Sequence, residues 1–143
     1  MLVEQTILHN IYYWGSQLKP LDQNVLVSIG AEPFVRSVFA HGGPSAYPPH
    51  RSLVSYPSLI SFAWKNSSLD ETMTRAIRTS RDSLRATALK DGQDVEHAAM
   101  YPGYALFDTS LEEMYGTNVH RLRAVKQAID PDDVMGLAGG FKF

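Results

Sequence analysis

Residues 59–90 read LISFAWKNSSLDETMTRAIRTSRDSLRATALK. The first six, Leu59 to Trp64, are apolar and aromatic-rich, which predicts a strand. Alternation puts Ile60, Phe62 and Trp64 on one face and Leu59, Ser61 and Ala63 on the other. Beyond Leu69 the apolar period changes from two to 3.6. Met73, Ile77, Leu84 and Ala88 then form one stripe, while Arg75, Arg78, Arg81 and Arg85 look outward. Ser68-Leu-Asp-Glu71 has the spacing of a capping box, with Asp70 and Glu71 at the positive end of the helix. Lys90 closes the last turn and Gly92 stops it. A strand feeding a long amphipathic helix makes the chain a mixture of α and β.

Upstream, Val3, Ile7, Ile11, Trp14 and Leu18 recur at helical spacing. They predict a helix over 3–18, ended by Lys19-Pro20 because a residue before proline avoids the helical region. Asn24 to Ile29 is short, β-branched and bounded by turn residues, which predicts a strand. Pro33 opens a short helix over 34–40. Residues 41–52, HGGPSAYPPHRS, form the longest irregular stretch, and long loops in compact domains are often functional. A further strand near Leu53 to Tyr56 fits the pattern. Downstream, Met100 to Asp108 reads as a third strand. Thr109-Ser-Leu-Glu112 reads as a second capping box opening a short helix that ends near Gly116. Asn118 is expected to cap a helix carrying Val119, Leu122, Val125 and Ile129, ended by Asp130-Pro131. The expected fold is α+β: a small, mainly antiparallel sheet covered by helices, in a single domain spanning 1–143.

Composition bounds the partners. The chain has 143 residues, of which 44% are hydrophobic and 20% charged, the balance of an ordinary soluble domain. Lys plus Arg is 13 against 15 Asp plus Glu, a net charge of −2. That gives no electrostatic footprint for nucleic acid or an anionic membrane. With no cysteine, disulfides, thiolate metal sites and thiol catalysis are excluded. No apolar stretch approaches the roughly 20 residues that span a bilayer. The first ten residues carry Glu4 and no basic region, so no signal peptide is visible and a cytoplasmic location is expected.

The C-terminal third carries a run of motifs: Tyr101-Pro-Gly-Tyr104, Tyr115-Gly116-Thr-Asn118, Arg121-Leu122-Arg-Ala-Val-Lys126 and Asp130-Pro131-Asp-Asp-Val134-Met135. In that order they resemble the C-terminal end of berberine-bridge-enzyme-like FAD-linked oxidoreductases, most closely the fungal type. Pro44 to Pro49, Phe62-Ala-Trp64 and Asp91-Gly-Gln-Asp94 are similar to the same family. The resemblance implies the substrate-side region of such an enzyme. It also implies FAD as the cofactor of the full-length family. No Gly-x-Gly-x-x-Gly cradle for a dinucleotide occurs here, and no cofactor is expected for this chain alone. Where the family usually has Asn between the two tyrosines, this chain has Gly103.

The resemblance also implies that the Tyr101–Tyr104 strand contributes to an active-site wall where a tyrosine serves as base or hydrogen-bond donor. As strand residues three apart, the two would point to opposite faces. Catalytic candidates are therefore Tyr101, Tyr104 and His97, the last suited to acid–base work near neutral pH. Tyr47, His50, Tyr56, Phe62 and Trp64 are candidate substrate-binding residues, each also explicable as an ordinary core or loop side chain. His9, His41, His50, His97 and His120 show no metal-ligand spacing. Three readings remain: a cofactor-free cyclase, isomerase or dehydratase acting on a hydrophobic metabolite; the substrate-binding part of an FAD-dependent oxidoreductase, inactive alone; and a non-catalytic binding or dimerisation module. The first is the leading expectation. A homodimer is expected with it, because the helix at 118–129 and the C-terminal tail would otherwise leave apolar surface uncovered.

Overall fold

The computed structural model describes residues 2–32, 34–35, 37–41, 43–48 and 58–143. The element order is α1 (Leu2–Leu18), β1 (Leu26–Ala31), α2 (Ser37–Ala40), β2 (Ser58–Ala63), α3 (Asp70–Lys90), α4 (Leu111–Tyr115) and α5 (Val119–Ile129). Among the described residues the class is α+β: three helices of 11 residues or more and one two-stranded antiparallel sheet. The chain divides into two compact units. One comprises Met1–Phe34 and Tyr56–His97, the other Val35–Ser55 and Ala98–Phe143.

The first unit is built on the sheet. β1 and β2 pair in register from Leu26 opposite Ala63 to Ala31 opposite Ser58. Val27 therefore faces Phe62, and Ile29 faces Ile60, on one side of the sheet. That side meets α1 and α3, and Leu18, Val25, Phe62, Met73 and Ala76 form the buried centre. Trp14, Ile60, Trp64 and Ile77 pack around it. Met73, Leu84 and Ala88 are buried as the helical period predicts, joined by Ala76 and Ser80. Gly92 ends α3 with a positive φ of 79°, a conformation that favours glycine.

One carboxylate holds the ends of both strands. Asp22 accepts hydrogen bonds from the Asn24 backbone N–H (2.9 Å) and the Asn24 side chain (2.8 Å), within a local turn. Its other oxygen accepts from the backbone N–H groups of Lys65 (2.8 Å) and Asn66 (3.0 Å), just past β2. These donors, the Lys65 N–H first, hold the Asp22 carboxyl well below the usual carboxylate range.

Several helix starts differ from the sequence expectation. The expected Ser68–Glu71 box does not form. Asn66 instead caps a 3-10 turn, Ser67–Leu69, through its side-chain oxygen, and that turn runs straight into α3. Leu69 is already helical, so α3 has no side-chain cap. The second box lies one residue later than expected. Ser110 is extended (φ −66°, ψ 148°) and exchanges hydrogen bonds with Glu113. Asn118 caps nothing, because the 3-10 turn Gly116–Asn118 leads into α5 without a break. The expected third strand over 100–108 is absent. Pro102 cannot donate to a ladder, and the chain there makes a 3-10 turn, Pro102–Tyr104. The strand expected near Leu53 to Tyr56 lies outside the described residues.

The second unit centres on Leu111, Met114 and Val119, with Met100, Ala105, Tyr115 and Phe141 packed against them. Its C-terminal turn is a polar knot. Asp130 accepts from the backbone of Val134 and Met135, while Lys126 donates to the Asp130 carbonyl and pairs with Asp133 at 3.0 Å. Lys142 reaches both Asp133 and the Gly136 carbonyl. A side chain at Gly136 would collide with Asp133 and Lys142. Lys126, as the nearest donor, keeps the Asp133 carboxyl below its ordinary range.

Three predictions follow from the first unit. Met73→Ala empties a fully buried site and should lower unfolding free energy by about 2–5 kcal/mol. Ser80→Ala should match or exceed the parent in the same urea titration, because the buried Ser80 hydroxyl has no hydrogen-bond partner. A Ser80→Ala loss as large as that of Met73→Ala would refute this. The ionised Asp22 should stabilise fully above the unfolded carboxyl pKa of about 3.9 and lose its effect as pH falls from there towards its depressed folded value. Asp22→Asn should therefore lower the denaturant midpoint at pH 7, and the gap from the parent should shrink progressively below pH ~4. A gap independent of pH would show that the carboxylate charge is not what matters.

Candidate functional site

The tyrosines singled out from the sequence are brought together by backbone geometry rather than by a strand. Tyr101 is extended (φ −70°, ψ 119°), as a residue before proline prefers. Pro102 occupies the first position of the 3-10 turn, whose missing N–H costs nothing there. The Tyr104 N–H donates to the Tyr101 carbonyl at 3.0 Å. Residues i and i+3 eclipse in such a turn. Tyr101 and Tyr104 therefore share one side, with ring centroids 5.0 Å apart and planes at 84°. This corrects the expectation that they point to opposite faces.

A third phenol comes from the loop 43–48. The Tyr47 ring meets that of Tyr101 edge to face, at 6.0 Å and 76°. Its hydroxyl donates to the Ala99 carbonyl at 3.3 Å. The loop is held by Asn118, whose amide donates to the carbonyls of Ser45 (3.2 Å) and Ala46 (3.0 Å). The segment before the turn is pinned by the Met100 N–H, which donates to the Glu113 carbonyl at 2.8 Å. Burial, and then the neighbouring Tyr101, raise the Tyr47 pKa above its ordinary value. At neutral pH Tyr47 is thus a hydrogen-bond donor and a poor base. Tyr101 remains 45% exposed, so the cluster presents an open ring rather than a sealed core. Edge-to-face contacts of this kind add about 0.5–1.5 kcal/mol each beyond burial.

The other sequence candidates lie elsewhere. Phe62 is in the centre of the first unit, and Trp64 packs beside it while donating to Asp70 at 2.6 Å. His97 is exposed and belongs to that first unit too. His50 and Tyr56 lie outside the described residues. Among the described residues no cluster of three or more His, Asp or Glu is placed to hold a metal ion. No described helix is long and apolar enough to cross a membrane.

Two contributors escape a reading of the sequence. Asn118 looks like a helix cap, but its partners are carbonyls more than 70 positions away, which no local pattern announces. Gly103 looks like a turn residue, yet its significance depends on where the Tyr101 ring lies.

Neither curated proteins nor solved structures give a match to this chain. A protein-family model does, and its span holds Tyr101, Tyr104, Asn118 and the Lys126–Asp133 knot. Residues 101–138 match the model of the family described as berberine and berberine like.

Proposed function

We propose that this chain is the substrate-side region of a berberine-bridge-type FAD-linked oxidoreductase, in which Tyr47, Tyr101 and Tyr104 form a phenol-lined wall for a hydrophobic small molecule. The observation that carries the reading is the geometry of the three phenols. Two of them lie inside the matched segment, and all three are held by ring edges and a tethered loop. Aromatic surface with a few hydroxyls is the usual lining of a small-molecule site. Burial raises the Tyr47 pKa, so this hydroxyl stays protonated, which supports the wall as a binding surface. The apolar side chains beyond the wall support a partner surface. Ile129 is 80% exposed and Leu137 88%, with Val125, Val134 and Met135 also open.

Helices α1, α3, α4 and α5 offer no N-terminal cradle for the diphosphate of a flavin dinucleotide. A diphosphate needs free backbone N–H groups at a helix N-terminus. Here α1, α3 and α4 open with acidic side chains, Glu4, Asp70 with Glu71, and Glu112 with Glu113. The α5 helix continues from the preceding turn and offers no free end. No step of flavin chemistry is therefore assigned to this chain.

The test combines a spectrum with a binding assay. The purified chain, mixed with FAD and desalted, should show no flavin bands. Uncharged phenolic and indolic compounds should give saturation-transfer NMR signals that weaken in Tyr101→Ala. Retained flavin bands would contradict the assignment, as would product formed from such compounds without any cofactor. Signals unchanged in Tyr101→Ala would remove the wall.

A further inference from the structure

We propose that Gly103 is the positioning residue of the phenol wall: the missing side chain at 103 is what lets the Tyr101 ring lie against Tyr104 and Tyr47. The proposal rests on reading the three phenols as a wall, but its core is a local geometric claim. A Cβ built on Gly103 falls 2.8 Å from Cε1 of Tyr101, 3.2 Å from Cζ and 3.4 Å from the hydroxyl oxygen. The first distance is shorter than carbon atoms tolerate without movement.

The backbone gives no other reason for glycine here. Gly92, Gly116, Gly139 and Gly140 have positive φ, and Gly103 does not. A side chain at 103 is thus compatible with the turn, and beyond its chain neighbours the nearest atoms it would meet belong to the Tyr101 ring. The clash meets the outer end of a partly exposed side chain, not the main chain. Its relief is rotation of Tyr101 to another rotamer rather than loss of the turn. Because one ring makes edge contacts with two others, that rotation removes both contacts together. Gly103 thereby sets which part of Tyr101 a ligand meets, although it offers no group to touch one.

The experiment uses the full chain and the variants Gly103→Asn and Gly103→Ala. The Tyr101 ring should show NMR cross-peaks to the rings of Tyr104 and Tyr47. In Gly103→Asn both sets should disappear, and Gly103→Ala should shift the Tyr101 ring resonances in the same direction. Far-UV circular dichroism should remain that of the parent. The near-UV tyrosine band should fall, and adding Gly103→Asn to Tyr101→Ala should change it no further, because the glycine acts only through that ring. Cross-peaks that persist in both Gly103 variants overturn the proposal, as does an additive effect in the Tyr101→Ala background. Ring movement with undiminished compound binding would leave Gly103 as the positioning residue and remove the wall as the binding surface. The two ideas therefore fail separately.

Discussion

The Asp22 carboxylate is the constraint on which the first unit depends. Two strands alone make a marginal sheet, and this one gains definition from what clamps its ends. Four N–H groups converge on one side chain. Two belong to the turn that leads into β1, and two to the turn that leaves β2 for α3. The same contacts place Leu26 opposite Ala63, and so put Val27, Ile29, Ile60 and Phe62 on the face that α1 and α3 cover. A one-residue slip would turn that face outward. Hydrogen bonds to an ionised acceptor are stronger than neutral ones, which suits a short side chain that joins segments more than 40 positions apart.

In the second unit the corresponding restraint is proline. Pro102 makes the preceding residue extended and the following turn tight, and eclipsing within the turn brings Tyr101 edge to face with Tyr104. Asn118 then fastens the loop that supplies Tyr47. Among the described residues, aromatic edges, the Tyr47 hydroxyl bond to the Ala99 carbonyl and the Asn118 tether help to hold the three phenols. The Lys126–Asp133–Lys142 knot performs a comparable service for the tail through charge, beside the packing of Phe141.

Elements with a strong period were legible in the sequence. The helix over 3–18, the two strands and the long helix ending at Gly92 occur within one or two residues of expectation. Failures cluster where a single residue outweighs the pattern. The apolar residues around 100–108 suggested a strand, but Pro102 decided the conformation. Ser68 and Thr109 had capping spacing, yet Asn66 and Ser110 had the extended backbone that capping requires. The resemblance of the C-terminal motifs reached the family that the segment matches. The wall itself was only half visible. Tyr101 and Tyr104 read as strand residues in the sequence but meet at a 3-10 turn, while Phe62 and Trp64 pack in the first unit. What joins Tyr47 to Tyr101 is long-range, and no spacing along the chain encodes it.

The chain passes from the first unit into the second between β1 and β2, and again after His97. The two strands of the sheet are neighbours in space but are separated in sequence by the segment that carries Tyr47. A nick within residues 43–48 would thus leave each strand on a different polypeptide, and the ladder, the Asp22 clamp, the apolar core and the Thr6–Thr87 hydroxyl contact would be among the links left between them. The loop that brings the Tyr47 ring to Tyr101 is also the covalent tie that keeps the sheet an intramolecular structure.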